Sequence, residues 1–227
     1  DAEFMWLSGI TICDGMAADF AECKEHIVPA HPFSDDIISV SRKLAERFCC
    51  DTEHIHQVEI AALKLFDALR KANHLTKKDR LLLQIAAILH NCGSFLNLND
   101  IGENSYKIVT STEIIGLSHQ ERMIVAYVIR YTTGDFPEYS EIKNEFSREE
   151  YIKIAKLNAI LCLADAMDRS HQQKFTNFTV RKRGYDLTIT GQTLYDITLE
   201  HGMFIQKSPF FEEAFGIRPV LRQKKCL

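Results

Sequence analysis

The stretch that decides the fold is Leu81-Leu82-Leu83-Gln84-Ile85-Ala86-Ala87-Ile88-Leu89-His90-Asn91-Cys92-Gly93. Its apolar part is too long for a typical strand and too short to span a membrane, which predicts a buried helix. Two polar side chains, His90 and Asn91, follow the apolar run. One interpretation is a helix cap, with Gly93 in the left-handed conformation and His90 near the negative end of the helix. The other interpretation is half of a metal site.

Two further motifs favour the metal site. His54-Ile55-His56 lies on an earlier predicted helix, and Leu163-Ala164-Asp165-Ala166-Met167-Asp168-Arg169-Ser170 lies on a later one. A histidine, then Leu-His-Asn-x-Gly, then Leu-Ala-Asp-x-x-Asp-Arg-Ser, in this order, resembles an HD-type helical domain. More specifically, the order resembles the HD-like C-terminal region of the exopolyphosphatase/guanosine pentaphosphate phosphohydrolase (Ppx/GppA) family.

The resemblance extends through most of the chain. It includes four shorter stretches: Leu65-Phe66-Asp67, Gly116-Leu117-Ser118-His119-Gln120-Glu121, Val128-Ile129-Arg130-Tyr131 and Phe211-Glu212-Glu213-Ala214-Phe215-Gly216. It implies a mainly α fold, in which an HD-like helical domain is followed by a small α+β C-terminal subdomain. It also implies an N-terminal strand remnant of a missing actin-like lobe, because Ser8-Gly9 and Asp14-Gly15 resemble the end of that lobe.

The domain organisation follows from this resemblance. We expect residues 1–30 to be the remnant of the preceding actin-like lobe with a linker, residues 31–174 the HD-like helical domain, and residues 175–227 the α+β subdomain. The chain is therefore expected to be a fragment, and the glycine loops that cradle phosphate in the actin-like lobes are not in its sequence.

Helix starts and strand patterns can be located from the residues themselves. The predicted N-caps are Ser34, Thr52, Thr76, Ser118 and Ser147. Two segments of alternating polarity around Arg183-Gly184 predict a β-hairpin. Residues 195–200 fit either a strand or a helix start. Ser208 to Phe215 predicts a short helix, and Pro219-Val220-Leu221 a last strand.

The resemblance implies four metal ligands, which are His54, His90, Asn91 and Asp165. Asn91 stands where an HD site has aspartate, and a neutral amide bridges metals less well than a carboxylate. The family's histidine-rich HHKHS run is Ile101-Gly102-Glu103-Asn104-Ser105 here, and RYHRK is Arg130-Tyr131-Thr132-Thr133-Gly134. These losses predict a decayed metal site without catalytic residues. The simpler alternative places His54 in solvent at the first turn of its helix.

Charge is distributed unevenly along the chain. The net charge is −4, but ten Lys/Arg against five Asp/Glu from residue 169 onward leave +5, so the preceding residues carry −9. Arg181, Lys182, Arg183 and Lys207 are therefore predicted to bind a polyanion, and the remaining basic residues of this region add to the same excess. The alternative is that Arg181-Lys182-Arg183 is only a solvated hairpin tip. The overall charge disfavours a nucleic-acid partner.

Cysteine usage and hydropathy indicate the compartment. The chain has 7 cysteines with no CxxC pair, which is typical of a reducing cytoplasm. No signal peptide or apolar run of about 18 residues is present, so we expect no membrane partner.

The leading functional hypothesis is the C-terminal part of an exopolyphosphatase. The parent would remove terminal phosphates from polyphosphate or guanosine pentaphosphate with Mg²⁺, and this part would hold the polyanion, form a homodimer, or both. One alternative is a stand-alone, metal-dependent HD phosphohydrolase acting on a nucleotide. The other is a purely structural dimerisation module.

Overall fold

The computed structural model describes residues 33–70, 73–175 and 177–224, together with residues 15 and 16. The strand predicted near the N-terminus, and with it the remnant of an actin-like lobe, lies outside the described residues.

The described part of the chain is mainly helical, as predicted. Its helices are α1 (Phe33–Arg47), α2 (Thr52–Leu69), α3 (Lys77–Leu89), α4 (Ile101–Ser111), α5 (His119–Arg130), α6 (Tyr139–Ile142), α7 (Arg148–Ala166) and α8 (Thr198–Phe215). A 3-10 helix, Cys92–Phe95, follows α3. No helix among these combines the length and the apolar character that crossing a bilayer requires.

Three of the predicted N-caps begin α3, α5 and α7, and each forms a capping box: Thr76 with Asp79, Ser118 with Glu121 and Ser147 with Glu150. The prediction for α2 was one residue off. Asp51, not Thr52, is the N-cap, because its backbone is extended and its carboxylate accepts a hydrogen bond from the His54 amide.

The central helix is α3, as the opening stretch predicts. It packs against α1, α2, α5 and α7, and the side chains from Ile85 to Leu89 are fully buried. Helix α7 is buried along most of its length and also contacts α2, α5 and α8. These two helices form the core to which the site residues are attached.

A three-stranded sheet follows α7. Strands β1 (Asn177–Arg183) and β2 (Asp186–Gln192) form the predicted antiparallel hairpin, and β3 (Arg218–Lys224) is parallel to β2. Helix α8 connects β2 to β3. Residues 195–200, which fit either a strand or a helix start, therefore contain the start of a helix. The short helix predicted from Ser208 is the second half of this 18-residue helix, which continues through Pro209.

The two faces of the sheet differ in character. Phe178 of β1, Leu187 and Ile189 of β2, and Leu221 of β3 are buried in the core. Side chains alternate along a strand, so the residues directly before and after each of these four point to the opposite, outer face. The sheet therefore covers the helices with one face and exposes the other.

Gly93 does not adopt the left-handed conformation that the cap interpretation required. The chain instead passes from α3 through a turn at His90 and Asn91 into the 3-10 helix, which packs against α4. The Gly93 amide donates to Ser105 Oγ over 2.8 Å, and that hydroxyl donates to the His90 carbonyl over 2.9 Å. A Cβ on Gly93 would lie 2.3 Å from the Ile101 carbonyl oxygen. Gly93 is therefore needed because α4 approaches so closely.

We expect Gly93→Ala to lower the free energy of unfolding by about 1–3 kcal/mol, because backbone atoms of α4 must move to admit the methyl group. Urea denaturation measures the change. Gly134→Ala is the matched control, since nothing lies within 4 Å of a Cβ there. An equal effect of the two substitutions would contradict the close-packing argument.

Candidate metal centre and basic sheet face

His54, His90 and Asp165 converge from three helices. His54 lies in the first turn of α2, His90 follows the last residue of α3, and Asp165 is near the end of α7. The Nε2 atoms of the two histidines are 3.2 Å apart. Asp165 Oδ1 lies 3.3 Å from His54 Nε2 and 3.6 Å from His90 Nε2. The structure thus brings together three of the four predicted ligands.

The orientation of His54 is set by Asp168. His54 Nδ1 donates to Asp168 Oδ2 over 2.9 Å, and both side chains are 1 % exposed. Asp168 is held in turn by the Gln173 backbone amide at 2.7 Å and the Gln173 side chain at 3.2 Å. The interpretation that His54 faces solvent is therefore wrong: the buried carboxylate at the end of α7 draws the ring inward.

His90 is oriented in a similar way. Its Nδ1 donates to the Ala87 carbonyl over 2.8 Å. With Nδ1 carrying the proton in both neutral rings, both Nε2 atoms present lone pairs. Two lone pairs and a carboxylate oxygen therefore meet at one point.

These three electron-pair donors require a cation between them. Burial by itself would lower the pKa of His54, but hydrogen bonds to Asp165 and Asp168 outweigh it and raise that pKa to about 9. Burial would raise the pKa of Asp165, yet its hydrogen bonds to His54 and His90 hold it well below the usual range. The cation at the centre is a proton or a metal ion.

The donor set fits a divalent transition metal. A tetrahedral ion with bonds of about 2.1 Å has ligand atoms about 3.4 Å apart, close to the three distances in this cluster. Imidazole nitrogen suits zinc and its neighbours, whereas Mg²⁺ prefers an all-oxygen shell. The hydrogen bonds at the two Nδ1 atoms are the outer-shell contacts that orient histidine ligands in metal sites.

Asn91, the fourth predicted ligand, follows His90 in the chain. It is half-buried, and no described residue hydrogen-bonds its side-chain amide. His171 was not predicted, although its ring stacks on His54 with centroids 3.7 Å apart and its Nδ1 lies 2.9 Å from Asp51 Oδ2. No local signal could have identified His171, because the stacking depends on the turns after α7. Asp168 was visible in the Asp-x-x-Asp-Arg-Ser motif, but its role was not.

The predicted polyanion-binding residues lie in two places. Arg181, Lys182 and Arg183 are exposed on β1, where alternation places Arg181 and Arg183 on the outer face and Lys182 on the other side. Lys207 lies on α8, and its Nζ donates to the Thr132 carbonyl over 2.8 Å.

The outer face of the sheet consists of four rows across the three strands. The register gives the rows Asn177-Gln192-Lys224, Thr179-Thr190-Arg222, Arg181-Thr188-Val220 and Arg183-Asp186-Arg218. Five of these side chains are cations and one is a carboxylate. We call this set the basic sheet face. Asp186 pairs with Arg218 at 3.0 Å, whereas no described residue pairs with Arg181, Arg222 or Lys224.

Comparison with known proteins identifies the family to which this chain belongs. The family model for Ppx/GppA phosphatase, domain III, matches residues 38–207, from within α1 to the middle of α8. The chain belongs to the Ppx/GppA phosphatase family. No match to a curated protein was found.

Proposed function

We propose that this chain holds polyphosphate for a Ppx/GppA-family phosphohydrolase, and that the basic sheet face is the binding surface. The observation that carries the proposal is the set of cations on one open face of the sheet, among which Arg181, Arg222 and Lys224 have no described partner.

The chemistry of the face suits an extended chain of phosphates. Threonine hydroxyls at 179, 188 and 190 lie among the cations and can donate to phosphate oxygens. Same-side residues on one strand are about 6.6 Å apart and neighbouring strands about 4.8 Å, so the cations are spread over a surface and not gathered around one phosphate. Such a surface favours a long polyanion over guanosine pentaphosphate.

In this proposal, phosphate is hydrolysed outside this domain. Removal of terminal phosphates, with Mg²⁺, is assigned to the actin-like lobes that the family resemblance implies. The contribution of this domain is to hold the far part of the substrate, so that the affinity of the enzyme rises with chain length. Homodimerisation is compatible with this role and would double the basic surface.

We expect the Arg181→Ala/Arg222→Ala variant to bind long polyphosphate more weakly and with a flatter salt dependence. Each cation that neutralises a phosphate releases a counterion, so the slope of log K against log salt should fall by roughly one to two units. Titration with long-chain polyphosphate at several salt concentrations measures this slope.

The matched control for this experiment is Lys143→Ala/Arg148→Ala, which removes the same charge from two exposed residues around α6 and α7. It should leave the slope unchanged. If the two double variants weaken binding equally, net charge alone explains the affinity and the basic sheet face is ordinary surface.

A second candidate function rests on the convergence of His54, His90 and Asp165. We propose that these three residues hold a divalent transition metal ion. A metal held in this way lowers the pKa of a bound water and so supplies a nucleophile near neutral pH. This arrangement supports the alternative of a metal-dependent phosphohydrolase that acts on a nucleotide, although Asn91 stands where an HD site has aspartate.

The metal proposal predicts that Zn²⁺ or Mn²⁺ binds at one site per chain and that His54→Ala reduces the affinity at least tenfold, because one of three ligands is lost. Calorimetry and the metal content after dialysis measure this. His56→Ala is the control, since His56 is exposed two residues away on the same helix. Equal retention of metal by the two variants would exclude the site.

We expect the chain by itself to release no phosphate from polyphosphate with Mg²⁺ or Mn²⁺, because Asn91 brings a neutral amide where the HD pattern has a carboxylate. A malachite-green assay measures the release. Turnover that His90→Ala abolishes would contradict this expectation and make the chain a hydrolase in its own right.

A further inference from the structure

A cavity of about 400 Å³ lies between the segment that follows α5, helix α7 and helix α8. Its walls are aromatic, formed by the rings of Tyr131, Phe136, Tyr151 and Phe210. The volume is within the range of small-molecule sites, which are about 300–1,000 Å³. Neither the metal centre nor the basic sheet face contributes a residue to it.

Phe136 is at the centre of the aromatic walls. Its ring centroid lies 5.4 Å from that of Tyr131, 5.6 Å from that of Tyr151 and 5.1 Å from that of Phe210. The rings meet at angles between 31° and 69° and so form several walls of one cavity. Among the described residues, no lysine or arginine lies over Phe136, Tyr151 or Phe210.

The charged groups around these rings are mostly acidic. Asp135, Glu138 and Glu213 line the cavity with a single ammonium group, so the lining carries −2. No described residue pairs with the carboxylates of Asp135 or Glu213. Burial raises the pKa of Tyr151, and the negative charges of Glu213, Glu138 and Glu141 raise it further.

The ammonium group of Lys207 does not neutralise these carboxylates. Its Nζ donates to the Thr132 carbonyl, an oxygen that the thiol of Cys162 also approaches. Its hydrogen-bond partner is this carbonyl, and no carboxylate pairs with it among the described residues. Lys207 is thus hydrogen-bonded to the backbone after α5. Arg130 lies 5.6 Å from the centroid of the Tyr131 ring, so the rings that remain available to a cationic ligand are those of Phe136, Tyr151 and Phe210.

We infer that this cavity binds a small alkylammonium ion. The electron-rich faces of aromatic rings attract a cation whose charge is spread over methyl or methylene groups, and carboxylates at the edge add a direct attraction. The net negative lining opposes phosphate. A small, strongly hydrated metal ion gains less from aromatic faces, because it would have to lose its hydration to reach them. The inference is independent of the proposed function, because it concerns a different surface and the opposite charge.

Two alkylammonium probes test the inference. Choline represents quaternary ammonium ions, and spermidine represents polyamines. Calorimetric titration of the full chain should show one site for at least one of them. Phe136→Leu should weaken that binding by about five- to thirtyfold, the range expected for a desolvated cation–π contact. Glu213 is exposed, so Glu213→Gln should leave the fold intact and should weaken the binding of the probe several-fold.

Glu212→Gln is the matched control, because Glu212 is the exposed neighbour of Glu213 on α8 and does not line the cavity. It should leave the affinity unchanged. The inference is overturned if neither probe binds, if Glu212→Gln weakens binding as much as Glu213→Gln, or if Mg²⁺ at equal ionic strength displaces the probe.

Discussion

The hydrogen bond between His54 Nδ1 and Asp168 Oδ2 is the contact on which the rest of the site depends. It joins residues that are 114 positions apart and attaches the first turn of α2 to the end of α7. Because it occupies Nδ1, it leaves Nε2 directed at Asp165 and His90. The same carboxylate holds the Gln173 amide and so determines the path of the chain from α7 toward the sheet.

Helix α2 connects the metal centre to the basic sheet face. Beyond His54, Gln57 donates to the Phe175 carbonyl over 2.5 Å and Lys64 donates to the Phe178 carbonyl over 3.2 Å. These contacts attach the segment that begins β1 to the helix, while the inner face of the sheet is buried in the core. One helix therefore positions both the converging ligands and the surface that we assign to polyphosphate.

The two candidate binding surfaces have opposite charge. The basic sheet face carries five cations against one carboxylate, whereas the aromatic cavity is lined by three carboxylates and one ammonium group. Helix α8 separates them in the chain, since it lines the cavity and then leads into β3. This separation explains why Lys207, which was predicted together with the arginines of β1, has a different environment. It lies on a helix that connects the central strand β2 to the edge strand β3, and it is not part of the open face of the sheet.

The sequence by itself determined the local structure. The capping pairs at Thr76, Ser118 and Ser147, the apolar run of α3 and the hairpin around Arg183-Gly184 each depend on residues within a few positions, so propensity and periodicity were sufficient to locate them. The resemblance of spaced motifs also pointed to His54, His90 and Asp165. Only the tertiary structure decided that Asp168 orients His54, that His171 covers it, and that Gly93 is required by the approach of α4. It also decided that the parallel strand β3 adds Arg222 and Lys224 to the face of Arg181, because the register between distant segments depends on packing and not on local pattern.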